Sequence, residues 1–430
     1  MRNTPLVFVT LLVLSLAFSS GPAQPPERFE GRSESGETPQ VTLTAVSYTP
    51  HSPITISSNE DFLSQGWPGD GTSADPYLIE NLNIRSLETC INVSDTTVFF
   101  EISNCRVSSF ISKSNTGIWL DNVTHCSIHD CVLVENGRGI ILYSSANCSL
   151  TRNAATKNTY SGFVLSFSEG CRLTNNNATR NIGFGGHPSY NSLMWNISIE
   201  NKNAGFSVYS SENCTLISNI AANNTDSGFY FGNSTGCTLT SNTATGNTYE
   251  GFFLWQTVNS TMTSNTATGN KYDGFFLSFS YYCMLTRNNA MGNAHYGFYL
   301  SDSWVCKLFL NRIGPNGRAN ALDYGMDNTW DDGVSLGNYW SDYSGIGVYP
   351  IMGMGNSEDR FPLSDTLRWG HTVLLVATVG AVTVLIALLV LFRNRQARGK
   401  ETRQERADGS GLAGQNLGRW NFRQYMSPKT

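Results

Sequence analysis

The sequence predicts an all-β protein, a right-handed parallel β-helix solenoid of about 23 residues per coil with one C-terminal transmembrane helix. Three observations predict it. Gly-aromatic pairs recur at Gly205-Phe206, Gly228-Phe229, Gly251-Phe252, Gly274-Phe275 and Gly297-Phe298, a fixed step of 23 residues, and a period in the twenties marks stacked structural units. Within each unit apolar residues alternate with polar ones only over short runs, as in Cys237/Leu239 and Phe252/Leu254, which suits strands and carries no helical period. Thr372 to Phe392 forms an apolar, uncharged run of 21 residues, enough to cross about 30 Å of hydrocarbon.

Taken in order, the segments divide the chain as follows. Arg2, the apolar run Leu6 to Phe18 and the small residues Ser19, Ser20, Gly21 and Ala23 follow the order of a secretory signal peptide over residues 1–23. Residues 24–53, rich in Pro, Glu, Ser and Gly, read as a spacer. Residues 54–325 hold the coils with an N-terminal cap. The Gly-aromatic phase extends backwards through Gly162-Phe163, Gly139-Ile140 and Gly117-Ile118, with one coil near Gly185 shortened by three residues. About nine or ten coils are expected, giving roughly 45 Å of axis. Residues 326–368 read as a C-terminal cap and 369–392 as the membrane span. The tail, 393–430, carries nine Lys/Arg against three Asp/Glu. Positive charge beside a span marks the cytoplasmic side, so the expected location is the plasma membrane, single-pass, with the solenoid outside. The tail itself reads as a stop-transfer anchor touching anionic lipid.

The net charge is −5, so with +6 in the tail the rest sums to −11. An acidic ectodomain argues against a nucleic-acid partner. Nine Asn-x-Ser/Thr sequons (among them Asn196, Asn213 and Asn223) fit an exported surface, although an Asn-, Ser- and Thr-rich repeat generates such triplets by chance.

Stacking the units puts equivalent residues in ladders. Phe206, Phe229, Phe252, Phe275 and Phe298 form a core stack, with Val208, Phe231, Leu254, Leu277 and Leu300 beside it. One Asn ladder runs from Asn153 to Asn311 and a second from Asn158 to Asn293. Stacked amides can donate to one coil and accept from the other, satisfying turn groups that are costly unpaired. Cys126, Cys148, Cys171, Cys214, Cys237, Cys283 and Cys306 share one rung, with Asn191 and Ser260 in the coils between. That rung reads as small interior filler, with a disulfide ladder as the alternative. Cys90, Cys105 and Cys131 lie outside it.

Alternation turns the residue after each repeat Phe outward. Trp119, Tyr230, Phe253, Phe276 and Tyr299, joined by Tyr143, Tyr209 and Trp255, are expected to form an exposed aromatic row. Such a row suits stacking on sugar rings, or packing against a long loop or partner subunit. Glu250 and Asp273 lie one coil apart in one phase, with Asp226 near the equivalent place. Carboxyls at about 5 Å suit a retaining glycosidase or a bound cation; Tyr296, Ser227, Ala204 and Ser161 at the same position suit an unconstrained turn. Asp327, Asp331, Asp332, Asn338 and Asp342 cluster with Trp330, Tyr339 and Trp340, as Ca²⁺ ligands or as a cap closing the solenoid end.

The repeats, the entry segment Gly66 to Ile79 and the closing segment Gly337-Asn-Tyr-Trp-Ser-Asp-Tyr-Ser-Gly345 resemble the NosD-like right-handed β-helix proteins of archaeal surfaces, over roughly residues 54–363. The resemblance implies the fold and leaves function open, since this architecture hosts enzymes and adhesins alike. Related closing segments carry an Asp-x-Asp-x-Asp-Gly stretch that Ile346 to Asp359 largely lacks. The resemblance also raises copper delivery. His125 and His129, four apart on a strand, are about 13 Å apart and cannot share one metal. His51, His187, His295 and His371 are scattered.

The expected function is a membrane-anchored surface module that binds or scaffolds, with polysaccharide as first ligand and another surface protein as second. No cofactor is required, with Ca²⁺ an option. The alternatives are a polysaccharide-modifying hydrolase, lyase or epimerase using Glu250 and Asp273, and a NosD-like metal-delivery protein.

Overall fold

A computed structural model describes residues 47–110, 115–189, 191–354 and 356–363. The expected signal peptide, transmembrane helix and basic tail lie outside the described residues. So do most of the spacer and the end of the C-terminal cap. Among the described residues no helix is long and apolar enough to cross a membrane.

Short strands leave one way to satisfy their backbones, which is to pair with the same strand of the next coil. Three parallel sheets of 13, 12 and 11 strands result, and each strand is followed in its sheet by the third strand after it in sequence, except at the C-terminal end, where Arg312–Ile313 is followed by the second, Tyr339–Trp340. This is a parallel β-solenoid of the right-handed type with about 11 coils, near 50 Å of axis at about 4.8 Å per coil. The estimate of nine or ten coils falls short because the first coils do not carry the Gly-Phe signature. Ile54, Ile91, Ile118 and Ile140 occupy the position that Phe163 and later phenylalanines fill. The first strand, Thr49–His51, also begins inside the expected spacer and pairs with Leu82–Ser86.

The interior is a set of ladders of equivalent residues from successive coils. Phe163, Phe184, Phe206, Phe229, Phe252, Phe275 and Phe298 stack with ring centroids 4.7–5.0 Å apart. The repeat glycine owes its place to sterics rather than to a positive φ. A Cβ on Gly251 would lie 2.6 Å from the Gly274 carbonyl oxygen and 2.7 Å from the Ala267 Cβ. Sheet corners turn instead at the residue before each ladder Asn, where Arg152, Trp195, Ser218, Ser241, Ser264, Arg287 and Leu310 all have φ between 53° and 59°. Left-handed backbone costs such residues roughly 1 kcal/mol apiece, and the adjoining amide ladder pins it.

Both Asn ladders form as the pattern predicts. Asn242 donates to the Leu216 carbonyl (2.9 Å) and to Asn265 Oδ1 (3.0 Å), while its own oxygen accepts the backbone N–H and the amide of Asn219, both at 2.9 Å. The first ladder continues to Asn338 and the second runs from Asn136 to Asn316. The sequon residue Asn196 is fully buried within the first. A hydroxyl ladder of Ser211, Ser234, Thr257, Ser280 and Ser303, not anticipated above, closes the turn after the Phe strands.

All ten cysteines are free and buried. Cys131 continues the first Asn ladder, its N–H donating to Asn153 Oδ1. Burial pushes the Cys90 thiol up to about 11, and the Cys148 sulfur together with burial raises Cys171. Thiolate is the reactive form, and although neighbouring sulfurs lower Cys105, Cys214 and Cys306, all ten thiols are buried away from reagent, so the native protein is expected to consume no thiol reagent and the denatured chain ten equivalents. A colorimetric thiol titration before and after guanidinium checks this, and two or more fast equivalents in the native state would contradict it.

Caps close both ends. The helix Asn59–Ser64 buries Phe62, which stacks on Tyr77 at 4.8 Å and meets Phe100 at 5.3 Å. At the other end Trp330 meets Phe298 edge-on, Trp340 lies 5.8 Å from Trp330, and Tyr349 stacks on Trp340 at 4.0 Å. Each indole N–H reaches a buried carboxylate: Trp330 donates to Asp323 (3.0 Å) and Trp340 to Asp359 (2.9 Å).

Candidate binding face

The outward rung of the 12-stranded sheet runs in register as Asn92, Trp119, Ile141, Val164, Gly185, Ser207, Tyr230, Phe253, Phe276, Tyr299 and Leu322. Four consecutive aromatics form one ladder. Tyr230 and Phe253 are 5.5 Å apart and tilted, Phe253 and Phe276 stack at 4.9 Å, and Phe276 and Tyr299 at 4.7 Å. Trp119 does not belong to it, because Ile141, Val164, Gly185 and Ser207 intervene. The rings are half-buried rather than upright in solvent. Phe276 is thus stacked between Phe253 and Tyr299. Trp255 stands on the next outward rung between Gly232 and Ser278. Gly232 has no room for a side chain: a Cβ there would lie 2.6 Å from both the Tyr209 ring and the Tyr230 hydroxyl.

At the end of this ladder the solenoid is notched. Ladder spacing falls from 23 to 20 between Asn176 and Asn196 and between Asn181 and Asn201. Only Ile182 and Gly183 separate Asn181 from Phe184, whereas Lys202 to Gly205 separate Asn201 from Phe206. The retracted corner leaves a cleft of about 520 Å³, lined among others by Ile182, Gly183, Asn203, Asp226, Tyr230 and Phe253. Asp226 is exposed at this cleft. Its Oδ1 accepts the Ser227 N–H (2.7 Å), and its second oxygen has no partner among the described residues.

Glu250 and Asp273 lie along the same corner, both buried. The Ser227 hydroxyl from the preceding coil donates to Glu250 Oε2 (2.9 Å), and the Tyr296 N–H of the following coil donates to Asp273 Oδ1 (2.8 Å). The two carboxyls are thus engaged from opposite sides. Burial raises the Glu250 carboxyl. It pushes Asp273 up to about 7, opposed by the Tyr296 N–H and reinforced by the Glu250 charge.

The acids of the C-terminal cap have separate duties. Arg360 grips Asp331 through two hydrogen bonds of 2.6 and 2.8 Å and holds its carboxyl below the ordinary range. Asp332 Oδ1 caps the N–H groups of Val334, Ser335 and Leu336. Asp342 accepts from Asn320 and Tyr349, and Asp327 is exposed at a left-handed turn. His129 spends both ring nitrogens on Glu101 (2.8 Å) and Asp130 (2.9 Å), and His125 stacks on Phe99. Among the described residues no group of three or more His, Cys, Asp or Glu side chains is placed to hold a metal ion.

The profile of the family described as periplasmic copper-binding protein (NosD) matches residues 52–187 and 187–345. The chain belongs to this family. Copper, which the NosD description names, finds no ligand set among the described side chains: the thiols are interior filler and the described histidines do not converge. No curated protein matches the sequence. Among solved structures the NosD solenoid is similar to the A-module of the Azotobacter vinelandii mannuronan C-5 epimerase AlgE6, at 14% identity over 72% of this chain and 99% of that one, with a TM-score of 0.55. The AlgE4 A-module from the same organism gives 14% identity, 72% and 100% coverage and a TM-score of 0.50. PfbA, a surface adhesin of Streptococcus pneumoniae, gives 10%, 74%, 91% and 0.45. These likenesses extend to the fold alone.

Proposed function

We propose that this protein is an exported, membrane-anchored solenoid that binds polysaccharide along the ladder Tyr230, Phe253, Phe276 and Tyr299. The observation that carries the reading is the ladder itself, four half-buried rings in consecutive coils beside a cleft. The interior has its own aromatic stack, so these rings are surplus to the core, and their repeat suits sugar rings laid along the axis. The apolar run 372–392 and the basic residues after it support an anchor with the solenoid outside. Binding of the full chain in detergent to a polysaccharide panel tests the reading. Tyr230→Ala/Phe253→Ala is expected to weaken binding roughly 30- to 150-fold, at about 1–1.5 kcal/mol per stacked ring. Phe167→Ala, exposed at the irregular end of the strand Phe163–Glu169, should leave it unchanged. Equal binding by the double variant would remove the ladder from the account.

A second reading, catalysis on sugar, is favoured by one observation. Burial pushes the Asp273 carboxyl up to about 7, the range in which a general acid or base is most effective. Its burial and its engagement by Tyr296 argue for a structural carboxyl, so binding is preferred.

A further inference from the structure

We infer that the cleft beside the shortened coil receives an amino sugar, its ring against Tyr230 and Phe253 and its ammonium group on Asp226, and that polyuronates are rejected there. This rests on the glycan reading above and names the ligand class. Three features of the cleft carry it. Its volume, about 520 Å³, lies in the range of small-ligand sites. Tyr230 and Phe253 supply an apolar wall at one side, and Ser161, Ser166, Asn203 and Ser207 supply neutral hydrogen-bonding groups around it. Asp226 is the one charged side chain among the described lining residues, and one of its oxygens is uncommitted.

Charge then selects the ligand. A uronate chain would bring one carboxylate per ring against Asp226, with no cation in the described lining to answer it, and like charges at such range repel. A protonated amine meets Asp226 in a charge-assisted hydrogen bond.

The test is titration of the full chain, in detergent at mildly acidic pH, with three oligosaccharides of equal length: glucosamine, N-acetylglucosamine and mannuronate oligomers. The glucosamine oligomer should bind about tenfold tighter than its N-acetylated counterpart, the order expected of one charge-assisted bond, and the mannuronate oligomer weakest. Asp226→Asn, which removes a single charge from an acidic solenoid, should erase that preference by weakening the glucosamine oligomer about tenfold, which separates a specific contact from general attraction of a cation to an acidic solenoid. Mannuronate binding as tight as glucosamine, or an undiminished preference in Asp226→Asn, would overturn the inference and leave the glycan reading standing. Failure of all three oligomers, together with failure of the wider panel, would overturn the glycan reading as well.

Discussion

Replacing Asn242 by Ala is expected to lower the stability of the solenoid by about 3–6 kcal/mol, although the side chain touches no ligand and carries no charge. Its amide makes two donated and two accepted bonds, all between 2.9 and 3.0 Å. Truncation leaves the Leu216 carbonyl, the Asn219 N–H and one Asn219 amide hydrogen without these partners in the interior. An orphaned buried group costs about 1–3 kcal/mol. The neighbouring outward Thr243→Ala, by contrast, should stay within about 0.5 kcal/mol. Urea denaturation of the three proteins measures the difference, and a loss below 1 kcal/mol for Asn242→Ala would mean that water or a repacked turn replaces the amide.

Asp273→Asn is expected to stabilise the protein, but only on the alkaline side. The folded chain keeps this carboxyl protonated up to about pH 7, against an ordinary value of 3.8. Between those values the folded state holds a proton that the unfolded state has released, so stability falls as pH rises through the window. Below about pH 4 both states are protonated and the buried carboxyl costs nothing extra. Asn is neutral throughout and keeps an oxygen for the Tyr296 N–H. The variant should therefore match the parent near pH 4 and exceed it near pH 8 by on the order of 2–4 kcal/mol. Melting curves across that range decide it: a pH-independent difference would show that Asp273 is ionised in the folded state, as an ion pair with Arg318 would require.

Where the chain repeats, the fold is legible from one coil. The Phe stack and both Asn ladders follow from the step of 23 because each rung is a chemical type that must be buried with its like or satisfied by its like. The Ser211 to Ser303 ladder is equally periodic and escapes notice because Ser is at home in any turn. Trp119 illustrates a different limit. It has the right phase, yet only the intervening rung, Ile141, Val164, Gly185 and Ser207, shows that it stands apart from Tyr230. The deletion of three residues near Gly185 is plain in the sequence, but its effect is not. Whether a short coil bulges its neighbours or retracts its own corner depends on which turn gives up the residues, and here the turn after Asn181 gives up two. The caps are least legible. Asp323 and Asp359 reach Trp330 and Trp340 across separations that no period relates, and an acid cluster on paper becomes, Asp327 aside, a set of individually occupied carboxylates.

The hydrogen bonds between coils lie along the solenoid axis, which gives the rod an uneven response to force. Sideways load is shared among all three sheets over many coils. A pull along the axis falls on the few bonds of one interface, and each coil that gives way pays out a contour of about 23 residues, near 80 Å at full extension, in exchange for about 4.8 Å of rod. The Trp330, Trp340 and Tyr349 stack with Asp323 and Asp359 is therefore a mechanical clamp as much as a lid. It guards the end at which unravelling under tension from the C-terminal side would begin.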